Sequence, residues 1–287
     1  MIDLDLLMRG AIDMHVHHAP DTNRRRIDAL EAAKQAQQAG MRAIVLKCHS
    51  YPTAPLAILI NQLVPSIKIF GSICLDYEIG GLNLYALETS ARLGARVVWM
   101  PTFSSFNSRG RMKALGLCLE GDGFSIIDAN GRLVPEIPHI VSMVKQYDMV
   151  LASGHLSPSE TFALMDEVHK NGISRMVITH PLDVELFDHP FSIEDLRHLT
   201  RMGAFVELTC VGLLPTEFRH DPTHTVEIIK ALGADHCIMS TDLGQYRNPL
   251  PVEGMRLFIA ALLQKGVEEK DIEIMVKFNP ARLLGLE

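Results

Sequence analysis

The sequence predicts an α/β fold, a single (β/α)8 TIM barrel, and three observations carry that prediction. Short apolar runs that read as buried strands occur eight times in 287 residues. Amphipathic stretches of helical period separate most of them. Successive runs start 32, 24, 28, 54, 25, 30 and 32 residues apart, so six of the seven intervals fit one strand–helix unit of about thirty residues. Strand followed by helix, eight times over, is the pattern of a closed parallel barrel; an open doubly wound sheet is the alternative.

Each element follows from local signals. Strand one is assigned to 11–17, and the amphipathic helix 25–38 after it stops at Gly40, a position suited to a left-handed terminating residue. Strands two and three are 43–49 and 67–74. A helix over 82–93 ends at Gly94 and leads into strand four, 95–100. The single long interval marks an insertion, 102–134, rich in Ser, Gly, Asn and Arg. Within it Asp128-Ala129-Asn130-Gly131 is a tight-turn signal between 124–127 and 132–134, so a loop with a small hairpin is expected. This insertion is open to two readings, a lid over the barrel mouth and a plain surface loop. A helix over 135–147, strand five at 149–155, a helix over 159–170 and strand six at 174–180 come next. Strand seven is 204–210, a helix covers 223–232, and strand eight is 236–242; Gly172, Gly203 and Gly233 punctuate the series. No linker or low-complexity tract interrupts 1–287, which reads as one domain.

Bulk composition narrows the function classes. Twenty-seven Lys+Arg against thirty-four Asp+Glu give a formal charge of −7, without the basic footprint of a nucleic-acid binder. Arg24, Arg25 and Arg26 form the one dense basic run, too short for a membrane patch. The cysteines (48, 74, 118, 210 and 237) are odd in number, lack a CxxC pair and read as core filling. The first ten residues carry acids where a signal peptide needs bases, and no apolar stretch is long enough to span a bilayer. A reduced, cytoplasmic protein with a small-molecule ligand is expected, with no nucleic acid or membrane partner and with homo-oligomerisation left open.

Thirteen histidines are the unusual feature, and their placement matters more than their number. Strand one closes on His15 and His17, strand five on His155, strand six on His180 and strand eight on Asp242. These are C-terminal strand ends, where a barrel gathers its active site. Alternation along a strand sends His15 and His17 to the same side. A lone histidine at a strand end is usually structural; coincidence across four strands is not expected by chance. Four imidazoles and a carboxylate suit one or two divalent ions, zinc first, with manganese or iron as alternatives.

This constellation resembles the amidohydrolase superfamily of metal-dependent hydrolases. The resemblance spans the chain: His-x-His on strand one, His on strands five and six, Asp on strand eight. The tail Asn279-Pro280-Ala281-Arg282-Leu283-Leu284-Gly285-Leu286 looks like the closing helix of its decarboxylase-like branch. The resemblance implies that His15, His17, His155, His180 and Asp242 bind metal, that Asp242 acts as general base and then acid, and that His180 binds a second ion or polarises a carbonyl. Asp13 would support the ligands from behind. Binuclear members usually carry a bridging Lys or Glu at the end of strand four, but here that position reads Trp99-Met100-Pro101-Thr102. Lys47, which shares a face of strand two with His49 if Val45 points inward, is the displaced candidate. Its role is open between a carboxylated bridge, a cation for a substrate anion and a plain ion pair. His49, Arg24 and His189 are substrate-side candidates, Arg24 because the 24–26 run sits unfavourably at the predicted helix start. His18, His220 and His224 ride nearby loops. The implied activity is metal-assisted hydrolysis of an amide, lactone or ester. Non-oxidative decarboxylation of an aromatic or unsaturated acid and non-catalytic ligand binding are the alternatives.

Overall fold

A computed structural model describes residues 3–116, 121–215 and 220–286. Eight parallel strands follow one another round the sheet in chain order: β1 (Ile12–His17), β2 (Ala43–Lys47), β3 (Lys68–Cys74), β4 (Ala95–Trp99), β5 (Val150–Ala152), β6 (Met176–Ile178), β7 (Phe205–Thr209) and β8 (Cys237–Ser240). The seam between first and last strands closes through His17 N–H to Leu243 O at 2.8 Å and Asp242 N–H to His15 O at 2.9 Å. The barrel is therefore the observed fold, and the open sheet is excluded.

Strand alternation splits the core in two. Ile12, Met14, Val45, Cys74, Val97, Trp99, Val177, Phe205 and Ile238 fill the barrel interior. Ile44, Leu46, Val98, Leu151, Val206, Leu208 and Met239 point the other way, into the helical layer. The helix Ala29–Gln38 shows how that layer fits. Asp28 caps it by accepting from Glu31 N–H at 2.8 Å, and it buries the small stripe Ala29, Ala32, Ala33 and Ala36. The bottom of the barrel is plugged by a closing helix (Asn279–Leu284), whose Ala281, Leu283 and Leu284 join the interior cluster. Asn279 fixes it by donating to Ala234 O at 2.9 Å and Cys237 O at 2.7 Å.

Several predicted boundaries need correction. Strands five, six and eight stop two or three residues before His155, His180 and Asp242, because Gly154, His180 and Asp242 take positive φ and turn the chain out of the sheet. The helix Ala29–Gln38 starts at Ala29 rather than at residue 25, so Arg24–Arg26 lie in the preceding loop and no dipole conflict arises. The predicted hairpin reduces to its turn and one Ile127–Leu133 bridge. The insertion instead holds a helix, Phe106–Ala114, which its Ser, Gly and Arg content did not suggest. Helices Ala54–Leu63, Ile193–Arg201 and Pro251–Gln264 complete the helical layer at places left unassigned. Glu160 pins the insertion to the helix Pro158–Lys170, accepting from Ser125 Oγ at 2.6 Å and Ile126 N–H at 3.0 Å. Cys48, Cys74, Cys210 and Cys237 are buried free thiols; Cys118 lies outside the described residues. Among those residues no helix is long and apolar enough to cross a membrane.

Candidate metal centre

The site begins with an irregularity in β1. Its pairing with β2 shifts between Asp13 and Val16, a β-bulge that adds one residue to β1. Met14 packs in the interior, yet His15 and His17 also reach the mouth, whereas Asp13 does not accompany them. Asp13 instead accepts from Thr241 Oγ1 at 2.5 Å, from Thr241 N–H at 3.0 Å and from His15 N–H at 3.1 Å. It locks the backbones of the two strands at the seam and makes no hydrogen bond to an imidazole ring. Burial pushes its carboxyl up to about 7.

The two lobes of the site meet at Asp242. Its Oδ1 lies 3.1 Å from both His15 Nε2 and His17 Nε2, and its Oδ2 lies 3.9 Å from His180 Nε2. His180 Nε2 in turn is 3.2 Å from His155 Nε2. Close backbone packing fixes these loops: a Cβ on Gly154 would stand 2.2 Å from Met100 O, and one on Gly244 would strike His17 O.

A recurrent construction stands behind the imidazoles. His15 Nδ1 faces both oxygens of Glu207 at 3.2 Å, His180 Nδ1 faces Asp183 Oδ2 at 3.4 Å, and His49 Nδ1 faces Asp76 Oδ2 at 2.9 Å. His155 Nδ1 has Ser108 Oγ at 3.1 Å. A carboxylate behind Nδ1 holds the proton on that nitrogen and aims the Nε2 lone pair forward. Glu207, Asp183 and Asp76 were not picked out from sequence. The signal for Glu207 was present: with Phe205 inward, alternation along β7 places Glu207 inside the barrel.

Lys47 is fully buried, with Nζ 2.9 Å from His15 Nε2 and 5.0 Å from the Trp99 ring centre. Val45 does face the interior, so Lys47 points in as alternation requires. His49 stacks on Phe103 at 3.9 Å between ring centres and shares Asp76 with Thr102, whose Oγ1 donates to Asp76 Oδ2 at 2.5 Å. A cavity of about 370 Å³ opens above these groups, lined by His17, Lys47, His49, His155, His180 and Asp242 on its floor. The insertion supplies Phe103 and Met112 to its wall, and Arg24 lies at its mouth. His189 is exposed and is not among the lining residues; its backbone N–H is held by Asn107 Oδ1 at 2.8 Å. His18 is buried with Nδ1 beside Ala19 O, His220 is 3.6 Å from Asp183 Oδ1, and His224 is exposed.

Electrostatics favour a cation here. Burial drives His15, His17 and His155 well below the ordinary histidine range, and lowers His180 and His49. Burial pushes Asp242 up, but His15, His180 and Lys47 offset it and hold the carboxyl below its ordinary value. Asp183 is raised well above its ordinary value by burial and by Asp242, and burial takes Glu207 to about 7. Neutral imidazoles thus crowd their lone pairs round a carboxylate. Among the described residues no Lys or Arg pairs with Asp242, and the Nδ1 atom of His17 is buried without a hydrogen bond. Tetrahedral zinc with arms of about 2.0–2.1 Å separates its ligands by about 3.3 Å. The spacings of 3.1 and 3.2 Å fit that geometry, and His15, His17 and Asp242 form one compact donor group while His180, Asp183 and Asp242 form another.

The sequence model of DUF6282, a family of unknown function, matches residues 10–207. No curated protein matches the sequence. Among solved structures, a probable dipeptidase, PvdM, from Pseudomonas aeruginosa is similar at a TM-score of 0.67 and 12% identity, over 98% of this chain and 96% of that one. An amidohydrolase from Pseudomonas aeruginosa gives 0.66 and 12%, over 99% and 98%. The 2,6-dihydroxybenzoate decarboxylase from Rhizobium gives 0.55 and 14%, over 97% and 99%. At these identities the likeness is one of fold.

Proposed function

Since the chain belongs to DUF6282, a family of unknown function, its chemistry must be read from the site, and we propose a metal-dependent hydrolase of the amidohydrolase type. One observation carries this reading: the Asp242 carboxylate turns one oxygen to the His15–His17 pair and the other toward His180. His15, His17 and Asp242 would hold a divalent ion, with His155 and His180 completing that site or holding a second. Zinc suits the imidazole-rich set best, with manganese or iron as alternatives. A bound ion of this kind lowers the pKa of water to near 7 and polarises a carbonyl.

The protein's own groups supply the rest. Asp242, held ionised by its neighbours, takes a proton from the attacking water and passes it to the leaving nitrogen or oxygen. Glu207 and Asp183 keep His15 and His180 in the tautomer that presents Nε2. Lys47 is assigned either a carboxylated bridge or a contact to a substrate anion; an Arg at 47 keeps the charge but forms no carbamate. The substrate is a small amide, lactone or ester, and the four buried thiols support a reducing cytoplasm.

Decarboxylation is the second reading, favoured by Trp99 standing where a bridging acid or lysine would end strand four. Metal per chain should be measured for wild type, His15→Ala and Lys47→Arg. Zinc-loaded enzyme should be assayed on γ-butyrolactone, 4-nitrophenyl acetate and glycylglycine for water addition, and on 2,6-dihydroxybenzoate for CO2. We expect one or two ions per chain, loss of metal in His15→Ala, and water addition. Release of CO2 without water addition would transfer the site to the second reading. A wild-type chain that takes up no ion would overturn both.

A further inference from the structure

We infer that the cavity mouth is built to read an oxyanion on the substrate, so that the molecule turned over is a small anionic one, carrying a carboxylate or phosphate away from the reacting bond. This inference rests on the hydrolase reading only for where the reacting bond lies. Its own support is Arg24 and the loop beneath it.

Three arginines precede the helix Ala29–Gln38, and they are not equivalent. Arg25 is committed to Asp21, with Nε and a terminal nitrogen each 2.7 Å from Oδ2. Arg24 lines the cavity, and among the described residues it is joined to no acid. Its guanidinium carbon lies over the Tyr246 ring, 3.4 Å from the centre. Stacking of this kind holds the planar fork in place and leaves its N–H edges free for a bidentate oxyanion.

The platform is itself anchored. Tyr246 stands on the loop that follows Asp242, where Gln245 donates to Asp242 O at 2.7 Å and bridges to Arg25 in antiparallel fashion. Asn248 donates to Gln245 Oε1 at 3.0 Å. The loop that carries the proposed base therefore also carries the seat of Arg24. A substrate held at both points is aligned by one rigid piece of chain.

Charge is distributed to match. Among the described residues the acids lining the cavity are Asp183 and Asp242, both on the floor, while Asn23, Arg24, Gln245 and Asn248 occupy the mouth. On a chain of formal charge −7, an arginine at the entrance that pairs with no acid among the described residues is a local reversal of sign that draws in anions. Phe103, Met112, Leu186 and Val211 form an apolar wall suited to the carbon skeleton.

Matched probes test this. Glutarate and pentanoate differ by one carboxylate at the same chain length, and 4-phosphonobutyrate places a phosphonate there instead. Titration calorimetry on the zinc-loaded protein should give glutarate or 4-phosphonobutyrate at least roughly tenfold tighter binding than pentanoate. The tighter of the two identifies the oxyanion. Arg24→Gln should abolish the preference while leaving pentanoate binding unchanged, and Tyr246→Ala should reduce it. Equal binding by wild type, or a preference that survives Arg24→Gln, overturns the inference. Metal content of the same samples separates the two readings: discrimination without bound metal keeps the anion site and removes the hydrolase assignment, and metal without discrimination does the reverse.

Discussion

Glu207 shows how much of the proposed metal centre stands one layer behind the imidazoles. His15 is the most enclosed imidazole of the site, and both of its nitrogens are engaged: Nδ1 by Glu207, Nε2 by Lys47 and Asp242. Replacing Glu207 with Gln keeps a neutral acceptor but removes the charge that raises ligand basicity. Metal affinity in Glu207→Gln should fall by about ten- to a hundredfold, read by competition with a chelator. Unchanged affinity would mean that the carboxylate does not orient His15. At this scale the sequence exposed the groups that gather at the barrel mouth and hid the acids behind them. His15, His17 and Asp242 announce themselves by spacing and position, whereas Asp76, Asp183 and Glu207 are single acids whose inward direction depends on register and loop path.

At the scale of elements, the barrel strands were legible because each is a short apolar run of period two, and their starts were placed within three residues. The ends were not. Leu151 through His155 reads as a continuous strand until Gly154 turns at φ +59, and that glycine was the one residue type that announced the turn. The turn is sterically obligatory, since a side chain there would collide with Met100 O and Pro101 O. Gly154→Ala should therefore cost about 2 kcal/mol or more in urea unfolding and lower metal retention through His155. Gly94→Ala is the control: its φ of +85 is equally unsuited to alanine, but open space surrounds the added methyl, so a loss nearer about 1 kcal/mol is expected. Equal losses would show that backbone strain alone, and not the close approach, sets the price at Gly154. The helix Phe106–Ala114 escaped sequence reading because its Gly, Ser, Asn and Arg content is that of a loop; its shape comes from packing Met112 inward.

Over the whole molecule the buried histidines set the response to acid. Seven of them (His15, His17, His18, His49, His155, His180 and His220) are held below the ordinary value by burial. Below that value the unfolded chain binds protons that the folded chain refuses, so stability falls as pH drops through about 6.5 and below. Asp13, Asp183 and Glu207 work in the opposite sense, because their raised carboxyls gain protons in the folded state first; they are fewer. Metal-free protein should accordingly unfold at lower urea at pH 5 than at pH 7.5, and a reversed order would contradict the burial of neutral imidazoles. Bound zinc should steepen the trend, since protons compete for the same nitrogens.

The seam of the barrel carries one more consequence, for how the protein is made. Asp242 reaches His15 and His17 only where the last strand meets the first. During synthesis the two histidines emerge more than two hundred residues before the carboxylate that faces both of them in the folded site. A ribosome-bound chain halted before β8 would display imidazoles without a pocket. Under the proposed metal reading, ion capture would be deferred until closure, and a nascent chain would gain no hold on scarce metal before it could use it.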